Sequence, residues 1–155
     1  MLLSKTFEEF CAASKLELDT LTNTGVPRIV GLARRATASW HPNGFIVFDL
    51  GLHSFGSLRL HIWPTGIRQM RDDAAHIHTH VWDLYAKVLS GVYREQLYEL
   101  TAVGFGARYR SAEIEYQRDR NMLAESGDAF LQPKSLIVVR AGGRIQWSPV
   151  GLTKH

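Results

Sequence analysis

What most constrains this chain is the texture of everything after "WHPNG": the segments "FIVFDLGL", "SLRLHIW", "HIHTHVW", "LYAKVLSG", "VYREQLYEL", "RYRSAEIEYQ", "DAFLQP", "LIVVR" and "RIQW" are short and rich in β-branched or aromatic residues. Gly, Pro, Asn or Asp separates them, which is the pattern of strands joined by turns. About eight to ten strands with no interleaved helix argue for an antiparallel sandwich or barrel, not a parallel α/β sheet.

The stretch before them reads differently. From Ser4 to Asn23, Phe7, Phe10, Cys11, Leu18 and Leu21 recur at helical spacing, and Thr6 with Glu9 has the form of a capping box. Gly25 stops that helix and Pro27 is placed to open a second, in which "RIVGLARRATAS" sets Ile29, Val30, Ala33 and Thr37 on one side. The expectation is a mainly β fold with two short N-terminal helices. A chain of 155 residues with 45% hydrophobic and 21% charged residues has the composition of one ordinary globular domain. Residues 1–40 would form the helical part and residues 44–148 the β part.

Composition also excludes function classes. The net charge of +3 arises from scattered arginines and lysines, so nucleic acid is not an expected partner. No apolar run approaches membrane-spanning length and no signal-peptide core is present, so neither a membrane nor export is expected. Cys11 is the single cysteine, which suits a reducing compartment and a cytoplasmic location; on an amphipathic helix it reads as a small apolar group. Gly-rich phosphate loops, Gly-x-Ser-x-Gly elbows and Cys-x-x-Cys pairs are absent, which removes the usual sequence support for NTPase, hydride-transfer and α/β-hydrolase activity.

Three of the seven histidines, His76, His78 and His80, alternate within "AAHIHTHVWDLYAKVLSG". On a strand, alternate residues share a face with side chains about 7 Å apart, so two such imidazoles can reach one cation. Neutral imidazole suits Fe(II), Zn, Ni, Cu or Mn better than Ca or Mg. A third group could be His61, His76 or water; His61 lies in "RLHIWP", where Arg59, His61 and Trp63 share one strand face and Leu58, Leu60 and Ile62 the other. If the polar face looks inward, Arg59 and His61 line a cavity; if the leucine face packs the core, they face solvent. One face of the strand after Gly91, with Tyr93 and Glu95 among its polar residues, could also line a ligand pocket. Asp83 could orient an imidazole or could simply close a turn.

The stretch from His78 and His80 to Gly91 resembles the first motif of the cupin superfamily, and Gly127 with Pro133 resembles the start of the second. The resemblance covers roughly residues 44–148. Leu84 stands where that first motif has its acid, as in thiol dioxygenases of the cysteine dioxygenase type, which hold iron with three histidines. Ser135, Val138 and Gly142 stand where the second motif has glycine, histidine and asparagine. The resemblance implies a single antiparallel jelly-roll barrel and a homodimer. It further implies His78 and His80 as metal ligands; His61, His76 or water would then complete the set, and the strand faces above make Arg59 and Tyr93 the candidates beside a small-molecule substrate. Fe(II) and an oxygenase or dioxygenase reaction follow from it, with Zn, Ni or Mn as alternatives. A cupin without a metal would instead bind a small molecule or use a histidine in isomerase, epimerase or cyclase chemistry.

Overall fold

The computed structural model describes residues 6–53, 56–67, 77–79, 82–116 and 121–148. It is mainly β with two helices, and the chain divides into two compact units, residues 1–87 with 144–155, and residues 88–143.

In the first unit, α1 (Phe7–Asn23) begins as the sequence predicts. The Thr6 hydroxyl accepts the Glu9 N–H at 3.2 Å and the Glu9 carboxylate accepts the Thr6 N–H at 2.8 Å. Each satisfies a backbone donor that a helix start leaves open. Gly25 turns the chain with a φ of +88°, and α2 (Val26–Ala33) follows with Pro27 in its first turn. That helix stops four residues short of Thr37, which starts β1 (Thr37–His41) instead of extending the helical face.

β1, β2 (Phe45–His53) and β3 (Gly56–Ile62) form an antiparallel sheet in the order β1-β2-β3. The β1–β2 hairpin closes through Pro42, Asn43 and Gly44, with Gly44 at a φ of +78° and its N–H on the His41 carbonyl at 2.9 Å. A three-residue loop ending in a left-handed glycine is a common hairpin closure. β4 (Leu84–Lys87) pairs antiparallel with β8 (Arg144–Trp147). α1 packs on α2 and β4, and α2 packs on β2. Among the described residues, Leu21, Leu58, Tyr85 and Ile145 are the buried apolar residues of this unit.

Asp19 ties α1 to the β4–β8 pair. Its carboxylate accepts from Lys87 at 2.8 Å, from Arg144 at 2.9 and 3.0 Å, and from Lys15 at 3.0 Å. Hydrogen bonds from Lys87, Lys15 and Arg144, in that order, hold the Asp19 carboxyl well below the usual range. Lys87 also donates to the Thr22 hydroxyl at 2.7 Å.

The second unit is one antiparallel sheet of β5 (Val92–Leu100), β6 (Ala107–Tyr116) and β7 (Asn121–Arg140), with β7 central. The sequence predicts two strands, "DAFLQP" and "LIVVR", where the structure has a single strand of 20 residues. Its two breakers sit at register shifts: Gly127 beside the one opposite Ser111/Ala112, Pro133 beside the one opposite Leu97/Tyr98. A bulge absorbs a residue without a donor or a side chain, so the strand runs on through both.

Among the described residues the antiparallel sheets are three separate sets and do not close into a barrel.

Candidate functional site

The sheet register gathers a cluster of rings on one face of β1–β2–β3. His41 lies opposite Phe45 on β2, and Val47, two residues on, lies opposite His61 on β3. Side chains two apart share a face, so His41, Phe45, His61 and Trp63 project together, and Arg59 joins them opposite Asp49. The His41 ring stacks on Phe45 with centroids 4.2 Å apart and planes 13° apart. Phe45 lies 5.1 Å from His61 and 4.8 Å from Trp63, and His61 meets Trp63 edge-on at 5.9 Å.

Both imidazoles are held neutral. Burial pushes His61 down to about 4, helped by the nearby Arg59 and His41. Although more than a third of the residue's surface is open, the imidazole is flanked by two large rings that keep water from solvating its charge. Burial likewise pushes His41 down, with smaller contributions from His78 and Arg59. The His41 Nδ1 accepts the Asn43 N–H at 3.2 Å, which leaves Nε2 as its free nitrogen.

The other candidates fall in different places. His78 is exposed, and Ile77–Thr79 around it is irregular, so the strand predicted for "HIHTHVW" does not form over these residues. It is nonetheless within electrostatic reach of His41. His76 and His80 lie outside the described residues. Arg59, His61 and Trp63 form the more open face of β3, whereas Leu58 on the opposite face is buried, so alternation here places the leucine side toward the core. Tyr93 lies in the second unit, where burial, the Glu95 charge and a hydrogen bond with Glu95 push its hydroxyl up to about 12. Val138, at the expected histidine position, is 49% exposed and pairs with Arg94 across β5 and β7. Leu84 opens β4 and is half-buried. Asp83 is near Cys11, whose thiol is pushed up first by burial and then by that carboxylate, so the cysteine does not become a ready nucleophile.

His41 and Phe45 are the cluster residues that sequence reasoning missed; His41 is the one with polar chemistry. It stands alone in "WHPNG", and the only available signal was the hairpin turn that brings it onto Phe45.

Among the described residues no three His, Cys, Asp or Glu side chains converge to hold an ion. The Nδ1 of His41 is already engaged, and the Arg59 guanidinium that disfavours a proton on His61 would disfavour a dication there by the same repulsion. The described residues therefore do not form a metal centre by themselves.

Two open cavities flank this sheet. One, of about 320 Å³, lies between the end of α2 and the β1–β2 strands. The other, of about 290 Å³, is lined by Ala38, Ser39, Trp40, Ile46 and Phe48. No family model, no curated protein and no solved structure matches this chain.

Proposed function

We propose that this chain binds a small organic molecule on the β1–β2–β3 face, as a cupin-type module that works without a metal. The observation that carries the reading is the ring cluster of His41, Phe45, His61 and Trp63 with Arg59 at its edge. Trp63 is 45% exposed and offers a platform on which a planar or apolar ligand can stack. Two neutral imidazoles add hydrogen-bonding groups, and Arg59 adds a cationic one. A general base works best with a pKa near the operating pH, and His61 at about 4 lies well below it, so the isomerase, epimerase or cyclase variant has less support.

A second reading keeps the Fe(II) oxygenase that the cupin resemblance implies, with Zn, Ni or Mn as alternatives. It is favoured by His61, whose imidazole stays unprotonated across the physiological range, and by His78, which stands near His41. His78 and His80 would be joined by His61 or His76, and the metal would supply oxygen activation. The jelly-roll barrel, the homodimer and the cytoplasmic location belong to the same proposal.

Elemental analysis of protein purified without chelator or affinity-tag metal separates the two. The first reading expects metal-free protein that Fe(II) does not load, together with ligand-induced quenching of tryptophan emission that is lost in Trp63→Phe. Stoichiometric metal that disappears in His78→Ala and His80→Ala overturns it in favour of the second. Within that second reading, loss of metal in His76→Ala but not in His61→Ala would assign the third ligand to His76.

A further inference from the structure

We propose that the cavity between α2 and the β1–β2 strands is a second binding site, for a small zwitterion with an apolar body, the chemistry of a free apolar amino acid. The cavity is an open cleft of about 320 Å³, at the low end of small-ligand pockets, and among its described lining residues Arg35 is the cation and Asp49 the anion, both exposed. These two make no ion pair with each other; each is occupied only in part and by its own backbone. The Arg35 Nε–H donates to the Gly31 carbonyl at 3.3 Å, which leaves the two terminal nitrogens of the guanidinium. The Asp49 Oδ1 accepts the Gly51 N–H at 3.0 Å, which leaves Oδ2. Leu32 and Leu50 supply the apolar part of the wall and Thr37 a hydroxyl.

A ligand carboxylate suits the guanidinium fork and a ligand ammonium suits the free carboxylate oxygen. A singly charged molecule would satisfy only one of the two. Arg59 is the cross-strand partner of Asp49 in the register of β2 and β3. The bulge that follows Asp49 adds Leu50 to the strand and gives the cavity its corner. Gly51 holds a φ of +106°, which a side chain would strain, and it keeps the Asp49 turn in place. None of the residues lining the cavity is one of the four rings, and the proposal meets the reading above only at the Asp49–Arg59 strand pair.

The test is a titration of ¹⁵N-labelled full-length protein with L-leucine, with leucinamide, which keeps only the cation, and with 4-methylpentanoate, which keeps only the anion. The expected result is saturable shifts of the amides at 35–37 and 49–51 with leucine. Each singly charged analogue should bind about tenfold more weakly, the cost of one lost charge-assisted contact. Arg35→Gln and Asp49→Asn should each weaken leucine by about tenfold; the asparagine keeps an oxygen for the Gly51 N–H, and spectral dispersion reports on folding. Absence of saturable shifts, equal binding of either analogue, or leucine binding unchanged in both variants would overturn the proposal.

Discussion

The His61 imidazole makes acid stability a direct test of how the ring cluster is built. The unfolded chain holds this histidine near 6.5 and the folded chain at about 4, so between those values the unfolded state binds the extra proton. The contribution is therefore complete above pH 6.5 and is lost as the pH falls toward 4. At about 1.4 kcal/mol per pH unit, the full displacement sets an upper limit of about 3 kcal/mol. Because much of the residue faces water, screening reduces that figure by about half, leaving about 1 kcal/mol to be lost on going from about pH 7.5 to about pH 5. Asp19 remains ionised at that pH because its partners hold its carboxyl far lower, so it does not confound the comparison. Urea unfolding of the wild type and of His61→Gln at both pH values isolates the effect: the wild type should lose about 1 kcal/mol more than the variant. Titration of the ring protons by NMR should place His61 well below 5. Parallel pH profiles for the two proteins, or a ring that titrates near 6.5, would refute the idea that Phe45 and Trp63 desolvate this imidazole.

Three further outcomes follow from the same structure. Replacing Gly106 with alanine puts a Cβ within 2.5 Å of the Leu131 carbonyl oxygen at a φ of +79°, so Gly106→Ala should lower stability by about 1 to 3 kcal/mol in chemical denaturation. Tyr85 buries a hydroxyl that has no hydrogen-bond partner among the described residues, so Tyr85→Phe should leave stability unchanged or raise it by about 1 kcal/mol; a loss of that size would mean the hydroxyl is satisfied after all. Thr6→Ala removes one half of the capping box and should cost about 1 kcal/mol, visible as a lower thermal midpoint with retained strand signal in circular dichroism.

Local signals in the chain were legible where one residue type does one job. The capping box at Thr6 and Glu9, the break at Gly25, the proline opening of α2 and most strands could be read directly, because caps, turns and alternation act over a few neighbours. The continuity of β7 was not legible, since Gly127 and Pro133 look like terminators until the partner strands shift register around them.

The candidate site divides in the same way. That Arg59, His61 and Trp63 share a face follows from the period of a strand, and the sequence alone determined it. Which residues meet that face is set by pairing between strands, a relation between distant positions that no local pattern encodes. The β1–β2 hairpin and the β2–β3 register brought His41 and Phe45 onto His61, and the desolvation that neutralises its imidazole arises from that contact. Only the tertiary structure decided it, because the energy of burying an imidazole depends on what surrounds the ring and not on what precedes it in the chain.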